Sequence, residues 1–270
     1  MTSDDDARLG NWIDLGEGVL ARRCGELDLT VGLVLGRDRA LVVDVGGDQL
    51  QGAELAREID AITAAPREIV FTHGHFDHCF GAEAFGSAPA WAHVGCAEHL
   101  HRTAEHQRAR WVEHYRQERR PEIADALART RIRIPDRVVA ERAELDLGDR
   151  VVRLHHLGAG HTDHDLVVQV PDRGIVFAGD LLEHGAPPDF EDAVPQQWPS
   201  TLDALLDLDP DVVVAGHGEP VGREFARGQR DELAVIADLR AAHARGEIDA
   251  AEALRRSPYP AATTRAALAR

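Results

Sequence analysis

Short apolar runs separated by glycine and polar turns dominate the first part of the chain. Residues 11–44 contain three such runs, and their β-branched composition predicts strands. Residues 49–63 instead have helical spacing, with Leu50, Leu55 and Ile59 as the expected apolar stripe. Further strands are predicted at 67–75 and 88–95. This alternation of strands and helices indicates an α/β protein.

A long amphipathic segment follows at 97–119 and predicts a helix, because Trp111 and Tyr115 share one face with smaller apolar residues. Pro121 suits the first turn of a second helix, which we expect to reach residue 130. Beyond it the pattern predicts strands at 136–161, a hairpin with its turn at 172–174, a helix at 201–206, a strand at 211–218, and helices at 223–270.

Two similar units occur once in each half of the chain, at 40–75 and at 174–218. Each contains an apolar strand that ends in Asp and Gly and another that ends in Gly and His. Polar side chains at strand ends commonly form sites, so we expect the two units to meet at one site. No linker rich in Pro, Gly or Ser separates the halves, so we predict a single domain at 11–270 after a disordered acidic leader at 1–10.

Composition narrows the class of partner. The 270 residues carry a formal net charge of -17, which argues against a nucleic-acid partner. The three cysteines are scattered, and the acidic N-terminus does not have the features of a signal peptide. No apolar run approaches the roughly 18 residues of a membrane span. We therefore expect a cytoplasmic protein with a small-molecule substrate and no membrane partner, and leave homodimer formation open.

Seven side chains at predicted strand ends are candidate metal ligands. Four of them fall within the run "HGHFDH" at 73–78. The full set is His73, His75, Asp77, His78, His161, Asp180 and His217. Imidazole and carboxylate suit zinc, iron or manganese. Seven ligands exceed what one tetrahedral ion with an open position needs, but they suffice for two ions that share a carboxylate.

With these motifs in this order, residues 11–220 resemble the metallo-β-lactamase-fold hydrolases. The resemblance implies a four-layer αββα sandwich, with a helical insertion at 97–130 over the cleft and a helical C-terminus. It implies one metal on His73, His75 and His161 and a second on Asp77, His78 and His217. It further implies that Asp180 bridges the two metals and that Asp44 supports the site from behind the ligands.

The expected activity is hydrolysis of an ester, thioester, lactone or amide of a small organic acid. Two zinc ions, with iron or manganese as alternatives, would generate a shared hydroxide that attacks the carbonyl carbon, and Asp77 would orient it. Asp180 resembles the bridging aspartate of the glyoxalase II and lactonase branch, although Glu183 stands where some lactonases carry tyrosine.

Several further residues are candidates with supporting roles. Thr162 and Asp165 are expected to orient ligand loops, and the expected substrate contacts are Glu183, His184, Trp111 and Tyr115. One alternative from another enzyme class stays open. Persulfide dioxygenases share the fold and hold a single iron through two His and one Asp, a set contained in the seven ligands. Metal analysis would separate the two activities.

Overall fold

The computed structural model describes residues 12–270. In this part of the chain two β-sheets face each other across an apolar core. The predicted leader at 1–10 lies outside the described residues. The first sheet has its strands in chain order: β1 (Trp12–Gly16), β2 (Val19–Arg23), β3 (Thr30–Leu35), β4 (Ala40–Val43), β5 (Arg67–Val70), β6 (Ala90–His93) and β7 (Arg137–Val139). Strands β1 to β4 pair antiparallel, whereas β4 to β7 pair parallel.

The second sheet holds the remaining strands of the described chain. They are β8 (Arg142–Asp146), β9 (Val151–His155), β10 (Val167–Val170), β11 (Ile175–Glu183), β12 (Val212–His217) and β13 (Val221–Gly222), in the spatial order β13-β12-β11-β10-β9-β8. The predicted hairpin is confirmed, because β10 and β11 pair antiparallel on either side of residues 172–174. Strands β11 and β12 pair parallel, so their carboxyl ends lie at the same edge.

Helices cover the outer face of both sheets. In the described residues they are α1 (Gln49–Ile62), α2 (Phe76–Cys79), α3 (Val94–Gln117), α4 (Pro121–Arg129), α5 (Trp198–Leu206), α6 (Arg223–Ala244), α7 (Ala250–Arg256) and α8 (Ala261–Leu268). None of these helices has the length and apolar character needed to cross a membrane.

Three apolar layers hold the structure together, and each is built from the inward faces of the elements that it joins. Ile59 of α1 and Leu100 of α3 pack on the first sheet. Leu41 of the first sheet and Phe177 of the second meet between the sheets. Trp198 of α5 belongs to the third layer, which joins α5 and α6 to the second sheet. The predicted four-layer αββα sandwich is confirmed.

The apolar stripe predicted for α1 was partly wrong. Leu55 and Ile59 are buried, but Leu50 is 60% exposed. At 100° per residue Leu50 lies on the side of the helix opposite Ile59, so the two cannot share a face. Gly52 occupies the buried face instead, and a side chain there would meet the backbone oxygen of Gly81 at 2.1 Å. Asp48 caps the helix, since its carboxylate accepts from the amides of Leu50 and Gln51 at 2.7 and 3.0 Å.

Candidate metal centre

The seven predicted ligands converge at the edge where the carboxyl ends of β5, β11 and β12 meet. His73 and His75 follow β5 directly, and Asp77 and His78 lie in the short helix α2. His161 lies in the loop after β9, and His217 is the last residue of β12. Asp180 differs from the expectation of a loop ligand, because it lies within β11.

A glycine immediately before Asp180 shapes this part of β11. The register with β12 shifts between Phe177 and Gly179, and Gly179 has a φ of 55° in the left-handed region. A Cβ at Gly179 would approach the side chain of Thr72 to 2.7 Å, so only glycine fits there. The irregularity therefore lets Asp180 project from the strand into the group of histidines.

The ligands form two groups, as the resemblance implies. His73, His75, His161 and Asp180 bring one candidate ligand atom each within 4.8 Å of one another, and so do Asp77, His78 and His217. In the first group, Nε2 of His161 lies 3.0 Å from Nδ1 of His75. In the second, Nε2 of His217 lies 3.4 Å from Oδ2 of Asp77.

Asp180 reaches both groups. Its Oδ2 atom lies 3.5 Å from Nε2 of His161 in the first group and 3.3 Å from Nε2 of His217 in the second. Its Oδ1 atom lies 3.2 Å from Nε2 of His78. A single buried carboxylate at contact distance from both groups has the geometry that a bridging ligand needs.

Each of the five histidines is fixed by a contact at one ring nitrogen. Nδ1 of His78 donates to Asp44 at 2.8 Å, and Nδ1 of His73 lies 3.1 Å from the hydroxyl of Thr72. Nε2 of His75 donates to Asp192 at 3.2 Å.

The other two histidines donate through Nδ1 to backbone carbonyls: His161 to Asp189 at 3.2 Å and His217 to Leu27 at 2.8 Å. The free nitrogens face one another, which is the arrangement that metal-binding imidazoles adopt.

Two buried polar atoms test whether a cation would fit. Nε2 of His73 and Oδ1 of Asp180 are buried and have no hydrogen-bond partner within residues 12–270. Burying a polar atom without a partner costs about 1–3 kcal/mol. Since the donor set is imidazole and carboxylate and the orphaned atoms lie within it, the residues fit a divalent metal ion.

Burial and neighbouring charges shift the pKa values of the histidines in both groups. Burial lowers the pKa of His161 to about 4 and that of His73 well below its usual value, so both rings are neutral and able to ligate at neutral pH. Burial also lowers the pKa of His78 and His217, but the carboxylates of Asp180 and Asp77 outweigh it and raise both well above the usual value. A cation bound by these two residues would displace their protons.

Asp44 contacts the candidate ligand His78. It has a φ of 60°, which is uncommon for a residue with a side chain. Its carboxylate accepts from the amide and the hydroxyl of Thr72, both at 2.8 Å, and from His78. Thr72, which sequence reasoning missed, therefore links Asp44 to His73. Thr72 could have been selected from the sequence, because it directly precedes the first ligand in the run "FTHGHFDH".

Thr162 and Asp165 shape the loop that carries His161. The carboxylate of Asp165 accepts from the hydroxyl of Thr162 at 2.6 Å and from its amide at 2.9 Å. His164, which the sequence analysis did not select, accepts at Nε2 from the amide of Gly74 at 3.2 Å. This contact joins the His161 loop to the loop that carries His73 and His75.

Comparison with known proteins agrees with this geometry. The family model for the metallo-β-lactamase superfamily matches residues 25–217. The chain belongs to the metallo-β-lactamase superfamily. An uncharacterized protein of Mycobacterium tuberculosis is 30% identical over 200 residues, which cover 66% of this chain and 80% of that protein. The metallo-β-lactamase type 2 of Bacteroides fragilis is 29% identical over 97 residues, covering 34% of this chain and 39% of the other.

Solved metallo-β-lactamase structures share the fold at low sequence identity. The enzyme from Pontibacter korlensis superimposes with a TM-score of 0.65 at 19% identity, over 83% of this chain and 98% of that one. The mono-zinc form of FIM-1 from Pseudomonas aeruginosa gives a TM-score of 0.63 at 18% identity, over 84% and 95%. At this identity the likeness concerns the fold. Membership of the superfamily implies metal ions and supports a metal-dependent hydrolase.

A cavity of about 380 Å³ opens beside the ligands of this superfamily member. Helix α3 forms one wall, where Trp111 stacks on Phe76 with ring centroids 4.3 Å apart. Glu183 and the loop that follows β11 also line the cavity. Burial, with Asp180 nearby, raises the pKa of Glu183 to about 8. His99 and Gln107 also line the cavity.

Two of the expected substrate contacts lie away from the cavity. Tyr115 is 1% exposed and its hydroxyl donates to Glu26 at 2.7 Å, because it sits one helical turn beyond Trp111 and turns into the core. His184 packs on Phe225, with ring centroids 5.3 Å apart. As the residue after Glu183, it points to the other side of the chain. The structure therefore retains Trp111 and Glu183 as candidates and corrects the other two.

Proposed function

We propose that this chain is a dinuclear, zinc-dependent hydrolase that acts on an ester, thioester, lactone or amide of a small organic substrate. The observation that carries the proposal is the set of five histidines, each fixed at one ring nitrogen by a contact outside the two groups. Such contacts select the tautomer and hold the ring before a metal arrives, which lowers the cost of binding. A site that no longer binds metal would not be expected to retain all five contacts.

The division of ligands supports two ions. His73, His75 and His161 would hold one, Asp77, His78 and His217 the other, and Asp180 lies within reach of both groups. Divalent cations, when bound, supply Lewis acidity and an activated water. The mono-zinc form of the Pseudomonas aeruginosa relative favours zinc.

Asp77 has a second role in this proposal. Its carboxylate belongs to the second group, and the residue also lines the cavity. It can therefore accept a hydrogen bond from the attacking water and turn the water's lone pair towards the substrate carbonyl. Asp180 also reaches the second group, but in this proposal it bridges the two ions, so the orienting role falls to Asp77.

The cavity walls favour substrates without a remote carboxylate. Four carboxylic acids from β11 and the loop after it line the cavity: Glu183, Asp189, Glu191 and Asp192. The single arginine of the lining, Arg110, already pairs with Glu191. A second carboxylate would have no free cation to bind, whereas an apolar acyl or aryl group can lie on Trp111 and Phe76. We therefore propose an uncharged acyl group as the part of the substrate that enters the cavity.

Metal analysis and a matched substrate panel test the proposal. We expect close to two zinc ions per chain by elemental analysis, and hydrolysis of thioesters, lactones or aryl esters that chelation abolishes and zinc restores. Each substrate is compared with a twin that carries a carboxylate on the acyl group, and the twin should react more slowly. A single iron per chain with oxygen uptake would replace the proposal with the persulfide dioxygenase alternative.

A further inference from the structure

His217 receives its orientation from a loop of the other sheet. Its Nδ1 atom donates to the backbone carbonyl of Leu27 at 2.8 Å, while Nε2 faces Asp77 and Asp180 at 3.4 and 3.3 Å. The Leu27 carbonyl thus fixes the tautomer and the ring plane of His217. A shift of this carbonyl would turn the ring away from the second group of ligands.

The loop that presents Leu27 connects β2 to β3 and has a strained backbone. Leu27 and Asp28 have φ values of 54° and 57°, and neither is glycine. Non-glycine residues in this region are strained and persist where the surroundings enforce them. At the base of the loop the amide of Cys24 donates to the carbonyl of Leu29 at 2.7 Å. Asp28 is also held, because its carbonyl accepts from the amide of Gly218 at 2.9 Å.

On the other side of Leu27, the loop is tied to α3 and to the segment that joins α3 to α4. Glu26, next to Leu27, accepts from the hydroxyl of Tyr115 in α3 at 2.7 Å. It also accepts from Arg120, which lies between α3 and α4, at 3.0 Å through one guanidinium nitrogen and more closely through the other. The side chain of Glu26 is 14% exposed, so water competes little for these bonds. We call Glu26, Tyr115 and Arg120 the Glu26 clamp.

We propose that Glu26 is a positioning residue of the second metal site: the Glu26 clamp holds the strained loop so that the Leu27 carbonyl keeps His217 in its ligating orientation. The inference rests on the proposed dinuclear function. It also gives Tyr115 a role. Its hydroxyl does not face the cavity but connects the covering helix α3, through Glu26 and Leu27, to the ligand His217.

The experiment compares Glu26→Gln with a matched control, Glu68→Gln. Glu68 is also buried and also accepts from one arginine and one aromatic donor, Arg39 and Trp91, both at 2.6 Å. It makes no contact with the loop that follows β2. Metal-free wild type and both variants are titrated with Co²⁺ alone, and the visible absorption bands report the binding of each equivalent.

In Glu26→Gln we expect the first equivalent of Co²⁺ to bind as in wild type and the affinity for the second to fall by about tenfold or more. Glu68→Gln should bind both equivalents as wild type does. Tyr115→Phe removes a single hydroxyl and should fold in any case, and it should show a smaller loss of the second equivalent only.

Two results would overturn the inference. One is a Glu26→Gln protein that binds both equivalents like wild type. The other is a variant that loses both equally together with thermal stability, which would make the clamp a general structural contact. A wild-type protein that binds only one Co²⁺ would instead remove the dinuclear proposal, and the clamp's role with it. The wild-type titration therefore separates the two failures.

Discussion

Oδ2 of Asp44 lies 2.8 Å from Nδ1 of His78, and both side chains are buried. Asp44 holds this position with a φ of 60°, an unfavourable conformation that three hydrogen bonds to its carboxylate offset. The pair directs Nε2 of His78 towards Asp180 at 3.2 Å. Under the proposed function, Asp44 prepares a ligand without being one.

Replacing Asp44 should weaken metal binding more than folding. Asp44→Asn keeps the shape of the side chain but loses the charge that favours a protonated Nδ1 on His78. We expect metal affinity to fall by about 10–100-fold, the usual effect of losing such a partner. Asp48→Asn is the matched control, since Asp48 is a buried carboxylate nearby whose capping role asparagine also fills. Equal metal affinity in both variants would contradict the role of Asp44.

Asp77→Asn should fold and yet lose hydrolysis. Asparagine has the same shape, but it lacks the charge that attracts the second cation and the acceptor that orients water. We expect kcat/KM to fall by at least about 100-fold, a typical scale for such groups. Thermal unfolding checks that the fold survives, and elemental analysis counts the remaining metal. Activity within about threefold of wild type would rule out this role for Asp77.

The sequence was informative about the fold and the ligands because both leave local signals. Apolar strands that end in His, Asp and Gly indicated that His73 to His78 and His217 meet at one site, which in the structure lies at one edge of the sandwich. The same patterns identified residues 40–75 and 174–218 as two similar units. In the structure both segments supply strands whose carboxyl ends face the site.

The partners that fix the histidines could not be predicted, because they come from distant chain segments without a pattern. Asp192 reaches His75 across 117 positions, and the Leu27 carbonyl reaches His217 across 190. A backbone carbonyl carries no sequence signal at all. Tyr115 shows a related limit: helical spacing placed it beside Trp111 on one face, where their ring centroids lie 6.0 Å apart. One turn further along α3, however, it lies beyond the cavity and is 1% exposed.

Trp111 should set substrate preference. It lines the cavity and stacks on Phe76, so Trp111→Ala removes apolar surface that a large acyl group would contact. We expect the ratio of kcat/KM for large over small acyl groups to fall by about tenfold, with unchanged metal content. The control is Val112→Ala, one position along α3 and buried in the core. A uniform loss across substrates, with a lower melting temperature, would show that Trp111 serves the core instead.

The last prediction concerns the pH dependence of stability. Burial and Asp180 raise the pKa of Glu183 from an ordinary 4.5 to about 8. Between these two values the unfolded chain loses its proton at Glu183 while the folded protein keeps it, so stability falls as pH rises from about 5 to 8. Glutamine stays neutral in both states. Glu183→Gln should therefore lose less stability than wild type over this range, by roughly 2–4 kcal/mol at most.

Denaturant unfolding of metal-free protein at pH 5 and at pH 8 measures this difference directly. The backbone N–H of Glu183 donates to the side-chain oxygen of Gln229 at 3.1 Å. The substitution leaves this contact in place because it changes only the side chain of residue 183. Glu98→Gln, at an exposed position of α3, controls for the removal of one carboxylate from an acidic protein. If Glu183→Gln and wild type lose the same stability between the two pH values, Glu183 is ionised in the folded protein. Its carboxylate would then add a full negative charge to the cavity wall beside Asp180.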